Sequence, residues 1–500
     1  MNAAPAWANK LLRPALALIA GAALPLSLAP WFYWPVGIAS CTLLALLLQR
    51  SNGKQAYWLS ALFGFAMFAV GASWVYVSIH VYGNASVPLA LLLTGIFVSA
   101  LAVIFALPFW LYGRFCQQSN LARLLGFPAV WVLSEWGMSW ILTGFPWVFL
   151  GYGHLETWLA GWAPVTGVWG ISWIIAFCGA AIALRKAAKG SRLYPVAIAV
   201  TIMFWLGGFG LNQVNWTQPS EHSISVGLLQ PNIAQQQRWD TAHLNKIISD
   251  NLEYNEVLWG NDLIIWPEAA IPQLKHRLEP LLAQLDANAR HRGAGMIIGL
   301  PSFDFTTDRY YNTVTTLGEA SGEYRKQHLV PFGEYLPMDS LLRGLIDFFN
   351  LPMSEFASGS PDQPLLIAQG HPVGTAICYE IAYPELVRQV GKEAELLLTV
   401  SNDTWFGDSL GPLQHLSMAQ MRALENGKPL IRATNDGITA LVDHRGNLTD
   451  TLPQFTSGML SGKVTPRAGT TPFGTLGSWP ILLIAVMSLV AVIAVSRKQQ

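Results

Sequence analysis

The chain has 500 residues, 52% of them hydrophobic and only 12% charged, whereas soluble domains carry roughly 25% charged residues. The formal charge is zero but unevenly spread: residues 1–219 hold ten Lys/Arg and two acidic residues, while residues 221–476 hold 18 Lys/Arg and 28 Asp/Glu. Such a split predicts two regions in two solvents, and without a basic stripe in the acidic half, nucleic acid is excluded as a partner.

A bilayer core takes about 20 apolar residues of helix. Eight stretches read as spans: 11–29, 34–49, 57–79, 86–112, 121–140, 162–184, 193–212 and 478–495. The second is short, and the fifth is broken by Pro128 and carries Glu135. With seven spans behind it, the first reads as a retained anchor rather than a cleaved signal. Lys10, Arg13, Arg50, Lys54, Arg114, Arg123, Arg185, Lys186, Lys189, Arg192, Arg497 and Lys498 all fall at alternate connections and termini, whereas "HVYGNAS" and "GFPWVFLGYGHLETW" hold no Lys or Arg. By the positive-inside rule both termini are cytoplasmic and the polar region lies on the outer side. The expected organisation is a seven-span domain at 1–212, an outer domain at 213–477, and an eighth span with a cytoplasmic tail at 478–500. An ionisable group inside a span faces protein or water, so Glu135 reads either as a packing group or as a substrate contact.

The polar region alternates strands and helices. "SISVGLLQPN" is a strand ending in a Pro/Asn turn, and "TAHLNKIISDNLEYNEVLW" has helical spacing. "DLIIWPEAAIP" is a buried strand stopped by Pro267, followed by the helix "LEPLLAQLDANARHRGA". "AGMIIGLP", "RYYNTVTTLG" and "GTAICYE" are strands, "YPELVRQVGK" a helix, "AELLLTVSND" a strand and "GPLQHLSMAQMRALENGK" a helix. "PLIRATNDG" and "TALVDHRGNL" are two more strands. This order predicts an α/β domain with helices covering its sheets.

Glu268 follows "LIIWP", Lys326 sits in "GEYRKQHLVPFGEYLP", and Cys378 follows "GTAI", each where a strand gives way to a loop. Catalytic groups of α/β domains collect at such ends. A carboxylate can take a thiol's proton, the thiolate can attack an acyl carbon, and an ammonium can stabilise the oxyanion. Each residue also has a plain reading: an inert buried thiol, a helix cap after Pro267, a solvated lysine. The spacing alone does not bring the three together. The other cysteines, Cys41, Cys116 and Cys178, lie in or beside apolar segments and give no metal or disulfide pattern with Cys378.

"IIWPEAAIP", "YRKQHLVPFGEYLP", "AICYEIAYPE" and "VSNDTWFGDSLGPLQH" together resemble the carbon–nitrogen hydrolase (nitrilase) superfamily. The flanking spans, with "GFPW", "PNIAQQQRWD" and "MRALENGKPLIRATNDGITA", narrow the resemblance to the apolipoprotein N-acyltransferase family of bacterial inner membranes. The resemblance implies a multi-pass α-helical membrane domain of eight spans plus an α/β, nitrilase-like αββα sandwich on the periplasmic side. It implies Glu268 as general base, Lys326 as oxyanion stabiliser and Cys378 as nucleophile. It further implies Glu334 as a second carboxylate near the site, Tyr379 and Glu380 as supports, Trp239 as an aromatic at the substrate entrance, and Trp147 as a membrane-facing residue tied to activity. The implied partners are a phospholipid acyl donor (phosphatidylethanolamine), a diacylglyceryl apolipoprotein acceptor and the bilayer, with no metal or cofactor. An outer compartment oxidises partnered cysteines, so a solitary thiol there is better explained by chemistry than by packing.

Two other readings stay open on the residues alone: a membrane-tethered amidase that hydrolyses a small amide, and a transporter or scaffold whose outer domain only binds. The apolar segment "LLRGLIDFFNLPM", 341–353, reads either as a helix packed on the core or as a mobile arm that touches the bilayer through Phe348, Phe349, Leu351 and Met353.

Overall fold

The computed structural model describes residues 6–238, 240–335 and 355–498. Trp239 and the 341–353 segment lie outside the described residues. The chain divides into two units, one drawn from residues up to Tyr76, Ser86–Val214 and Leu476 onward, the other from Val77–Ala85 and Asn215–Thr475.

The first unit is helical: α1 (Ala6–Ala23), α2 (Trp34–Leu47), α3 (Gly53–Gly71), α4 (Val87–Phe115), α5 (Asn120–Met138), α6 (Ala163–Ala183), α7 (Leu193–Leu211) and the C-terminal helix Trp479–Lys498. Among the described residues, three helices are long and apolar enough to cross a membrane: Val87–Phe115, Trp158–Ala183 and Leu193–Leu211. A fourth candidate joins Gly53–Gly71 to Trp74–Tyr82 across a 55° bend. Leu11–Ser27, Trp34–Leu47 and Trp479–Val495 are apolar but shorter, and α5 is diluted by Arg123, Pro128 and Glu135. The helical region therefore has three or four candidate spans by length and composition.

Pro128 does not break the fifth segment; α5 runs through it without interruption. Proline removes one backbone donor, but among packed helices the freed carbonyl can find other partners, and Pro128 and its neighbours on both sides are buried. Glu135 is 3% exposed. Its Oε1 accepts from Trp131 Nε1 at 2.8 Å and from the Leu150 amide at 2.8 Å. It thus ties α5 to the turn that opens at Leu150.

The second unit holds two large sheets, besides a two-stranded pairing of Gln218–Pro219 with Arg467–Ala468. One runs in the order β13 (Gly458–Val464), β1 (Ile224–Gln230), β2 (Leu263–Trp266), β3 (Gly295–Asp304), β4 (Arg309–Gly318), β6 (Glu323–Arg325). The other runs β12 (Leu448–Leu452), β11 (Thr439–Val442), β10 (Leu430–Thr434), β9 (Leu396–Ser401), β8 (His371–Ile377), β7 (Leu366–Ala368), β5 (Ala320–Ser321). β1–β2–β3 are parallel, as are β8–β9–β10.

Successive strand residues point to opposite faces, and β2 shows the consequence. Leu263 and Ile265 enter a core shared with Val373, Ile377, Leu398 and Ile431 of the other sheet. Ile264 and Trp266 face the other way, onto Leu258, Leu282 and Leu285. Those three belong to α8 (Thr241–Leu258) and α9 (Glu279–Arg292). On the outside of the second sheet, Ala376, Leu397 and Leu430 pack on α10 (Pro384–Gly391) and α11 (Gly411–Asn426). The result is four layers, helix–sheet–sheet–helix, whose buried Ile, Leu and Val side chains each contribute about 1.5–3 kcal/mol. α9 stops at Gly293, which takes the left-handed conformation, φ 67°, that ends helices most cheaply at glycine.

Val77–Ala85 also belongs to this unit. Ser78 Oγ donates to the Trp405 carbonyl at 2.7 Å, and the Tyr82 ring meets the Trp405 ring edge-on at 6.0 Å.

Candidate active site

Glu268 is placed by the end of β2. Pro267 cannot continue the ladder, and the chain turns under a buried guanidinium, Arg238, which donates to the carbonyls of Glu268 (2.6 Å) and Ala269 (2.5 Å). The turn also needs Gly299 on β3, where a Cβ would lie 2.5 Å from the Pro267 oxygen and 2.7 Å from Glu268 Cα. Glu268 is 7% exposed. Its Oε1 accepts from Asn312 Nδ2 at 2.6 Å, and its Oε2 from the Asn402 amide, at the end of β9, at 2.8 Å.

Lys326 follows β6 and is 1% exposed. Its Nζ lies 2.9 and 2.8 Å from the two oxygens of Glu334 and 3.7 Å from Glu268 Oε1. Burial by itself would depress the lysine, but the charges of Glu334 and Glu268 outweigh it and hold the group above the ordinary lysine range. Asn312 ties the two carboxylates together, donating from one amide nitrogen to Glu268 (2.6 Å) and to Glu334 (2.9 Å).

Cys378 directly follows β8 and lies in the left-handed region, φ 53°. A side chain is rarely held there without cause. Its thiol is pushed up, chiefly by burial and then by the Glu268 charge, while Lys326 pulls the other way. At rest it is therefore a thiol, and it needs a base to become a nucleophile.

Glu380 joins the lysine loop to the cysteine turn. It is fully buried. Its Oε1 accepts from the amides of Gln327 (2.6 Å) and His328 (3.0 Å), the two residues after Lys326. Its Oε2 accepts from the amide of Ile377 (2.6 Å), the residue before Cys378. The Tyr324 hydroxyl bridges both oxygens at 3.1 and 3.0 Å. Burial raises this carboxyl to about 7 even though those backbone donors oppose it.

Comparison with known proteins decides between an enzyme of this kind and a binding module. Residues 225–473 match the carbon-nitrogen hydrolase family, and residues 20–181 match the apolipoprotein N-acyltransferase N-terminal domain. Apolipoprotein N-acyltransferase of Azotobacter vinelandii is 44% identical over 495 residues, covering 97% of this chain and 95% of that protein. The proteins of that name from Pseudomonas aeruginosa PAO1 and Vibrio parahaemolyticus are 44% and 38% identical, covering 96% and 98% of this chain and 94% and 99% of theirs. The chain belongs to the apolipoprotein N-acyltransferase family.

As a member of the apolipoprotein N-acyltransferase family it is an acyltransferase built on the carbon–nitrogen hydrolase fold. The structure brings Glu268, Lys326 and Glu334 into one buried cluster, and the charges of Glu268 and Lys326 act on Cys378, with Glu380 tying the lysine loop to the cysteine turn. Tyr379 is 8% exposed, with its ring edge-on to Tyr383 at 5.1 Å. Trp147 does not face outward: it is 1% exposed, against Trp74 (5.0 Å) and Phe145 (5.7 Å) of the helical unit. Bulky aromatic surface that can pack against other rings is buried in preference to being left exposed. Trp239 lies outside the described residues. Asn312, Asn402 and Arg238 escaped the sequence reading. Asn312 sits among Arg309, Thr313, Thr315 and Thr316 in "RYYNTVTTLG", so nothing local singles it out; Asn402 acts through its own backbone N–H and Arg238 on backbone carbonyls, contacts that leave no mark in a sequence.

Proposed function

We propose that this protein moves an acyl chain from a phospholipid, through a thioester on Cys378, to the α-amine of the N-terminal diacylglyceryl-cysteine of an apolipoprotein. The observation that carries the reading is the buried Glu268–Lys326 pair, held by Glu334, whose charges act on a thiol in a left-handed turn. Glu268 takes the thiol proton as sulfur bonds to the ester carbonyl carbon, and Lys326 pairs with the oxyanion. Collapse breaks the carbon–oxygen bond, and the proton on Glu268 passes to the departing lysophospholipid alkoxide. The acceptor amine then bonds to the thioester carbon and gives a proton to Glu268. The carbon–sulfur bond breaks, and that proton returns to the thiolate. The amine's ordinary pKa is about 8, so its neutral form is accessible near neutral pH. Glu334 holds the ammonium, Tyr379 and Glu380 support the cysteine turn, and Trp239 serves the substrate entrance.

The discriminating test is mass measurement on enzyme taken from membranes. The Cys378 peptide should carry an acyl mass that neutral hydroxylamine removes. A diacylglyceryl peptide with a free α-amine should discharge it to the N-acyl peptide, whereas its N-acetylated form should not. Release of free fatty acid at equal rates with either peptide would make the protein a hydrolase.

The proposal includes eight spans, cytoplasmic termini, and a periplasmic catalytic domain at 213–477 in a bacterial inner membrane. Twelve Lys/Arg at alternate connections and termini, against none in two short loops, support it. A reporter active only in the periplasm should be active when fused near Pro219 and silent at Gly190. The opposite pattern would put Cys378 in the cytoplasm.

A further inference from the structure

Behind the cysteine turn lies a polar cluster that the acyl-transfer steps do not use. His415, on α11, is fully buried. Its Nε2 lies 3.1 Å from the backbone carbonyl oxygen of Cys378. Its Nδ1 lies 3.2 Å from Arg432 Nη2 and 3.1 Å from Asp403 Oδ1. Asp403 receives Arg432 Nη2 on Oδ2 at 2.5 Å and the Ser401 hydroxyl on Oδ1 at 2.6 Å.

The contact with Cys378 fixes one of the ring's hydrogens. A carbonyl only accepts, so Nε2 must carry the hydrogen it shares with Cys378. Nδ1 faces a donor, Arg432 Nη2, and an acceptor, Asp403 Oδ1, at similar distances, and Nε2 carries its hydrogen whether the ring is neutral or charged. Burial and the Arg432 charge lower the His415 pKa against the opposing Asp403 carboxylate, which favours the neutral ring with Nδ1 accepting from Arg432. Asp403 meanwhile takes its hydrogens from Arg432 and Ser401, which leaves it to anchor the guanidinium. The order of support is Asp403 to Arg432 to His415 to the Cys378 carbonyl.

The last link matters because of where it ends. Cys378 has φ 53°, a conformation that a non-glycine residue keeps only when its surroundings hold it. The amide on the other side of the turn is fixed too, since Glu380 takes the Ile377 N–H. With the Ile377 N–H held by Glu380 on one side and the Cys378 carbonyl held by His415 on the other, the backbone is anchored on both sides of the Cys378 Cα, whose Cα–Cβ bond carries Sγ. Losing the His415 N–H would free one of those anchors and let the Cα–Cβ direction drift.

We propose that His415 is the positioning residue of the nucleophile, its Nε2–H clamping the Cys378 carbonyl so that the thiol stays aligned with Glu268 and Lys326 through both half-reactions. The inference rests on Cys378 being the acylated residue. It assigns His415 no proton transfer and no contact with lipid or peptide.

The test is single-turnover acyl loading of the full chain in phospholipid vesicles, with the lipid concentration varied. His415→Leu should lower the maximal loading rate about 10- to 100-fold, the cost of a misplacement of about 1 Å, with the half-saturating lipid concentration unchanged. His415→Gln can present an amide N–H near the Nε2 position and should recover most of the rate. His415→Asn is too short and should not. If His415→Leu fails to fold, the Gln and Asn variants carry the comparison by themselves. Equal rates for Gln and Asn, a wild-type rate for Leu, or a change confined to half-saturation would each overturn the clamp. Cys378→Ala run alongside separates the two failures: loading that persists there removes the nucleophile assignment, whereas loss there with a wild-type rate in His415→Leu removes only the clamp.

Discussion

Cys378→Ala should carry no hydroxylamine-labile acyl chain and should form no N-acyl peptide. Removing the nucleophile from a catalytic triad lowers turnover by about 10⁶-fold, so no signal should rise above the uncatalysed background. The fold should survive. Cys378 is only partly buried, and the amides around it are held by the carboxylate of Glu380, which the substitution leaves in place. A wild-type melting temperature with no adduct is the expected pair of results. An acyl mark on Cys41, Cys116 or Cys178 in this variant would refute the assignment, as would product formation at the wild-type rate.

Lys326→Met should slow both half-reactions by about 100- to 1000-fold, the usual cost of losing an oxyanion donor. Methionine keeps the length and removes the charge. Here the loss is compounded, because Nζ also lies between Glu334 and Glu268. Breaking a buried ion pair by deleting one partner costs about 3–5 kcal/mol, so the melting temperature should fall as well. Rates must therefore be taken per folded enzyme. The sign of the lysine's shift predicts where pH matters. Its folded pKa stands above the ordinary value of about 10.4. Its contribution to stability is thus complete below that value and is lost only as pH rises through the higher, folded one. The pH dependence of loading near neutrality should not report Lys326. A wild-type rate in the methionine variant, measured on folded protein, would strip Lys326 of its role.

Much of this was legible in the residues because the relevant signals are periodic or punctuated. "LIIWPE" reads as a strand stopped by proline, and the structure ends β2 at Trp266 with Glu268 two residues on. The apolar runs read as eight spans; each stretch is helical, but among the described residues three or four are long and apolar enough to cross a membrane. What failed depended on the third dimension. Pro128 looked like a break, but packed neighbours let α5 pass through it. Trp147 looked membrane-facing, but other aromatic rings bury it. Asn312 and His415 lie 44 and 37 residues from the groups they hold, and no local pattern connects partners so far apart in the chain.

The segment Val77–Ala85 has a consequence for how this enzyme can be taken apart. It lies in the stretch between α3 and α4, yet it packs with the catalytic unit, where Ser78 and Tyr82 meet Trp405. Trp405 sits three residues beyond Asn402, whose amide holds Glu268. A fragment cut free at residue 215 would lose a piece of its own packing and leave an indole edge and a carbonyl bare beside the catalytic loop. The catalytic unit is not a cassette that a single cut can release: evolution could exchange it only together with the short segment that interrupts the helices.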